Sequence, residues 1–179
     1  MGKDTPKLSL VVYPASILRK QATIVKTVDG PLIKAADAMF SIMYENHGVG
    51  LAAPQVGMSK RVLVIDLRQD DQPIYVMINP RITKREGETE AEEGCLSLPE
   101  VFGQVKRAER VEVAYVDREG EERTLLAEGL LARAIQHEID HLNGVLFADR
   151  VAEAQKKLVD QKLRELAESA KQKSKEHAR

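Results

Sequence analysis

Apolar residues recur at helical spacing from Leu32 to Tyr44, where Leu32, Ala35, Ala36, Met39, Ile42 and Met43 would share one face. Pro31 suits a first helical turn, Asp29 before it is a candidate cap, and Gly48 offers a stop. Upstream, Val11-Val12-Tyr13-Pro14 reads as a short extended piece ended by proline. The period then shortens to that of strands. Arg61 to Asp66 predicts a buried strand and Ile74 to Ile78 another, halted at Asn79-Pro80. Val111 to Val116 alternates, Asp117 to Gly120 reads as a turn, and Arg123 to Leu126 as the returning strand. Gly129 to Leu142 is helical again and ends at Asn143-Gly144. Ala152 to Lys171 is filled with helix formers, with Leu158, Leu163 and Leu166 as a narrow apolar stripe. Few strands are linked through helices, which favours α+β over a doubly wound parallel sheet.

Composition narrows the classes. The 179 residues suit one domain, read as a body over residues 1–150 with a helical, basic extension over 151–179. A chain of this size buries roughly 70% of its unfolded surface, so a monomer is expected. The net charge of −1 argues against a dedicated DNA or RNA binder, although residues 156–179 carry a local +4. There is no Trp and little Phe or Tyr for stacking on bases. A single cysteine, Cys95, excludes an intrachain disulfide. The longest apolar run, Leu8 to Tyr13, is too short to span a bilayer, and Met1 to Pro6 has no signal-peptide character. The expected address is cytoplasmic, with no membrane partner.

The sharpest chemical signal is Gln136-His137-Glu138-Ile139-Asp140-His141. Histidines at i and i+4 lie on one helix face about 6 Å apart along the axis, where both can grip one metal ion. Glu138 beside them is placed to act as a general base on the metal's water. Catalytic sites of this kind need a third ligand. Downstream, Glu153 and Glu165 are candidates, and His177 is a poor one at the end of the tail. Upstream, Cys95 in Glu92-Glu93-Gly94-Cys95-Leu96-Ser97 leads, because a thiolate binds divalent metals strongly. Gly48-Val49-Gly50-Leu51-Ala52-Ala53-Pro54-Gln55 fits neither a dinucleotide nor a phosphate loop; its small residues permit close approach of another backbone.

Taken together, these three segments, in this order and spacing, resemble the three signature motifs of the peptide deformylase family. Tyr13-Pro14-Ala15-Ser16-Ile17-Leu18-Arg19 extends the resemblance, which runs to about Ala148. It implies an α+β fold of mostly antiparallel sheets around a central metal-binding helix, with a C-terminal helix. It also implies a metal-dependent hydrolase that releases formate from the N-terminal formylmethionine of nascent polypeptides. By resemblance, Cys95, His137 and His141 hold one divalent ion. The ligand set alone suggests zinc; the family implies Fe²⁺, with Ni²⁺, Co²⁺ or Zn²⁺ as substitutes. Glu138 is the implied proton carrier, and the Gln55 side chain and Leu96 backbone N–H the implied donors to the formyl oxygen. Val49, Leu96 and Leu130 are candidates for the methionine pocket, and Gly50 and Gly94 for pairing with the peptide backbone. Glu93 and Arg107 are expected to form an ion pair behind the cysteine loop. Asp140 is a candidate to orient a ligand histidine, the alternative being that it faces water.

Two positions depart from the family pattern. Phe102 stands where several relatives carry an arginine near the substrate's exit, and His47 where relatives often have an acidic residue. The basic tail invites comparison with bacterial relatives that reach the ribosome through a C-terminal helix.

Overall fold

The structure, a computed structural model, describes residues 8–176, so His177 and the Met1–Pro6 segment lie outside the described residues. Helix α1 spans Gly30–Glu45, with the Asp29 carboxylate accepting a hydrogen bond from the Leu32 N–H at 2.9 Å. The strands are β1 (Gly50–Ala52), β2 (Val62–Ile65), β3 (Tyr75–Glu86), β4 (Thr89–Cys95), β5 (Leu98–Arg107), β6 (Arg110–Val116) and β7 (Glu122–Glu128). Helix α2 covers Gly129–Leu142 and α3 Glu153–Glu176. Short 3₁₀ turns lie at Ser16–Arg19, Ala53–Val56 and Phe147–Asp149.

All the strand pairings are antiparallel. One sheet runs β1-β2-β3-β6-β7, and β4 and β5 form a separate hairpin. The class is α+β, as the patterning predicted. Strand β2 shows why its four residues are all apolar. Val62 and Val64 join α1 in one buried cluster, while Leu63 and Ile65 join α2 in another on the opposite face. Helix α2 is therefore enclosed, and 11 of its 14 residues are buried. A third cluster gathers β5, Phe147 and the Val159 and Leu163 side chains of α3.

Three expectations change, and one hairpin adds to them. Strand β3 does not stop at Asn79-Pro80. Asn79 takes a left-handed φ of 52° and the register shifts between Ile78 and Arg81, so a bulge absorbs the proline that cannot donate to the ladder. Gly48 does not supply the left-handed residue that ends α1; His47 does, at φ 60°. Gly48 is needed for closeness instead, because a Cβ there would sit 2.7 Å from Leu96 Cδ1. On α3 the buried stripe is Val159 and Leu163, with Leu158 exposed. The β4–β5 hairpin carries no strand signal that the period reveals.

Candidate metal centre

Three donors from two elements converge in the C-terminal half of α2. His137 and His141 project from it on one face, their rings 5.0 Å apart between centroids. Cys95 comes from the turn end of β4, with its Sγ 3.2 Å from His141 Nε2. The ligand atoms of Cys95, His137 and His141 all lie within 4.8 Å of one another, the one such group among the described residues. Glu153 and Glu165, on α3, are not part of it.

The donor chemistry suits a divalent ion. One sulfur and two imidazole nitrogens leave room for a further ligand. His137 turns Nδ1 to the Glu93 carboxylate at 2.9 Å, which leaves its Nε2 for a metal. Among the described residues, two buried side-chain polar atoms, Glu138 Oε2 and His141 Nδ1, have no hydrogen-bond partner. Burial holds His141 well below the ordinary histidine range, with the neighbouring His137 adding to the effect; a neutral imidazole is what a metal needs. For His137 burial works the same way, but hydrogen bonds to Cys95 and Glu93 outweigh it and raise its pKa. Burial pushes Glu138 up to about 7, in the range where a carboxyl can both take and give a proton near neutral pH.

Gln55 is 1% exposed and its orientation is forced. Its Oε1 accepts the Ala52 N–H at 2.8 Å, so the amide N–H group faces Cys95 Sγ at 3.4 Å and Ser97 Oγ at 3.2 Å. Gly50 lies directly against Glu138, since a Cβ there would be 2.6 Å from Oε1. A cavity of about 560 Å³ opens over these groups, lined by Val49, Gly50, Gly94, Leu96, Phe102 and Leu130 among others. Phe102 is 55% exposed and its ring lies over Gly94. His47 is on the cavity rim.

Behind the centre sits a buried ionic network. Arg107 donates to both Glu93 oxygens at 2.9 Å and to Asp140 at 2.5 Å. Asp140 neither faces water nor bonds a histidine; it is buried and receives Arg107 and Arg150. Glu93 also accepts from Arg133 at 2.7 Å; burial would raise its pKa, but the hydrogen bonds and charges of Arg107 and His137 hold it well below the usual carboxylate range. Sequence reading missed Arg133, Ser97, Phe147 and Arg150. Arg133 lies one turn before His137, so helical spacing could have found it. Phe147 stacks on the His137 ring at 6.1 Å, a contact with no local signal.

The profile of the family described as polypeptide deformylase matches residues 7–157. The chain belongs to the peptide deformylase family. A peptide deformylase from Thermodesulfovibrio yellowstonii is 46% identical over 159 residues, covering 88% of this chain and 96% of the relative. The crystal structure of a peptide deformylase from Synechococcus elongatus, in complex with actinonin, superposes with TM-score 0.81 at 43% identity, covering 95% of this chain and 90% of that one. A Plasmodium falciparum peptide deformylase gives TM-score 0.86 at 39% identity, covering 91% and 97%. This chain is a hydrolase, and its α+β fold is the one those structures share.

Proposed function

We propose that this deformylase hydrolyses the formyl amide of N-terminal formylmethionine in nascent polypeptides at one divalent ion held by Cys95, His137 and His141. The observation that carries the ligand assignment is the convergence of those three donors within 4.8 Å, beside a buried Glu138 with an unpartnered oxygen. A bound ion supplies an acidified water and a positive charge for the formyl oxygen. Iron is the reading the family resemblance supports, and the same donors accept Ni²⁺, Co²⁺ or Zn²⁺.

The rest is the work of this chain's own groups. Glu138 takes a proton from the attacking water and delivers it to the departing amine. The Gln55 amide and the Leu96 backbone N–H donate to the formyl oxygen as charge builds on it; loss of one such donor typically costs ~10²–10³ in rate. The peptide pairs in extended form beside Gly50 and Gly94, and Val49, Leu96 and Leu130 receive the methionine side chain. Glu93, held by Arg107, fixes the His137 ring. The small formyl hydrogen lets a tight site exclude an acetyl group.

We read residues 1–150 as the catalytic unit and 151–179 as a helical extension, which begins by packing on β5 through the Val105–Val151 bridge and the Gln104–Gln155 hydrogen bond. In this reading the protein acts as a cytoplasmic monomer whose basic helix contacts the ribosome. Separately, among the described residues no helix is long and apolar enough to cross a membrane.

Formate release from formyl-Met-Ala after anaerobic Fe²⁺ or Ni²⁺ loading tests the activity, and no release with metal bound would refute it. Cys95→Ala should abolish metal retention and activity together. Full retention of both would instead favour a carboxylate as third ligand.

A further inference from the structure

The short turn Phe147–Asp149 and the residue after it bear on His137 in two ways. Phe147 stacks directly on the imidazole. Arg150 reaches the same ring through a chain of paired charges. Its Nε and Nη2 fork onto Asp140 at 2.5 and 2.7 Å. Asp140 Oδ2 also accepts from Arg107 Nη1 at 2.5 Å. Arg107 uses its other two nitrogens on Glu93, and Glu93 Oε2 meets His137 Nδ1. All three guanidinium nitrogens of Arg107 are thereby engaged, and its position is set from both ends.

We propose that Arg150 is a positioning residue for the metal centre, acting on His137 through Asp140, Arg107 and Glu93. The inference rests on the metal reading of Cys95, His137 and His141. Asp140 Oδ1 accepts from Arg150 Nη2, while Oδ2 is shared between Arg150 Nε and Arg107 Nη1. Without Arg150, one oxygen of a buried carboxylate loses its donor, and the group must rotate or admit water. Either movement shifts the Arg107 guanidinium, which then lets Glu93 and the His137 ring turn away from the orientation a metal requires. Arg150 itself touches neither the cavity nor a ligand atom, and its side chain is 46% exposed at the back of α2. Its substitution therefore leaves the substrate-facing surface intact. A lysine keeps the charge but cannot fork onto both oxygens.

The test uses Co²⁺ as probe, loaded anaerobically into the full-length wild type, Arg150→Ala, Arg150→Lys, Glu93→Gln and the Arg150→Ala, Glu93→Gln double variant. Affinity is read by chelator competition through the thiolate-to-cobalt absorption. Removing a direct partner of a ligand histidine typically costs ~10–100-fold in metal affinity. Arg150, three links further out, should cost about tenfold, at the low end of that range, with Arg150→Lys recovering part of it. In the Glu93→Gln background Arg150→Ala should add nothing, because the link it acts through is already cut. Unchanged Co²⁺ affinity in Arg150→Ala, or the same tenfold loss repeated on top of Glu93→Gln, overturns the inference. A purely structural clamp would lower the melting temperature of the metal-free protein and leave Co²⁺ affinity alone, which also overturns it. If Arg150→Ala does not fold, Arg150→Lys alone and combined with Glu93→Gln gives the same comparison. Failure of the wild type to bind Co²⁺ would sink the metal reading and this inference with it, whereas normal wild-type binding with an indifferent Arg150→Ala sinks only the inference.

Discussion

Glu93 and His137 are joined by one hydrogen bond, 2.9 Å from the carboxylate Oε2 to the imidazole Nδ1. That contact decides which ring nitrogen is free, and it sits at the centre of a network in which two buried arginines face the same carboxylate. Glu93→Gln keeps the volume but removes the charge both arginines need. Metal affinity should fall ~10–100-fold, and the metal-free protein should lose up to about 3–5 kcal/mol, the cost of breaking a buried pair. Chelator competition and denaturant unfolding measure the two effects.

Gly50 is a glycine for the sake of Glu138. An alanine methyl would meet Oε1 at 2.6 Å, and the carboxylate is walled in. Gly50→Ala should lower kcat on formyl-Met-Ala by roughly 100-fold, the cost of displacing a reacting group by about 1 Å, while metal content stays at the wild-type level. A loss below threefold would show that Glu138 steps aside freely.

Phe102 borders the cavity without reaching the ligand cluster. Phe102→Arg should therefore change KM more than kcat in a steady-state comparison of formyl peptides. A large fall in kcat at unchanged KM would contradict its placement at the substrate's exit.

Acid sensitivity should include Asp149. Burial alone would raise its pKa, but hydrogen bonds from Arg19 and the Leu146 N–H, with the Arg19 charge, bring it below the ordinary value of 3.8. A depressed carboxylate adds stability above its unfolded pKa and loses it as pH falls through the folded one. Asp149→Asn should cost roughly 1 kcal/mol or less at pH 7, the range of half-exposed pairs, and that difference should shrink when melts are repeated below pH 3.

The tail can be tested without touching the body. Cutting at residue 156 would strip Val159 and Leu163 from the third cluster, so the truncation belongs after Leu166. It should leave formate release from a short peptide unchanged and weaken binding to purified ribosomes. Equal ribosome binding removes the docking role.

Much of this was legible along the chain because it is local. The His137–His141 spacing acts through one helix turn, and α2 runs over Gly129–Leu142 as the period predicted. The β4–β5 hairpin was not legible. Strand β5 does bury one face, with Val101, Gly103, Val105 and Arg107 inside and Phe102 and Lys106 outside, but a glycine and an arginine occupy positions where alternation would place apolar residues, so the period is masked. Strand β3 was cut short for a related reason: a proline reads as a stop unless a bulge accommodates it.

The residue types by themselves determined the helix with its two histidines and Glu138, the single thiol available to complete a donor set, and the α+β class, since each follows from short-range period or from composition. Beyond the expected Glu93–Arg107 pair, only the tertiary structure decided what stands behind those donors. Arg107, Arg133 and Arg150 come from three separate stretches of chain, and nothing in sequence spacing states that they share the Glu93 and Asp140 carboxylates. Burial makes the pairing obligatory, because a charge withdrawn from water must find its counter-charge wherever the fold brings one within reach.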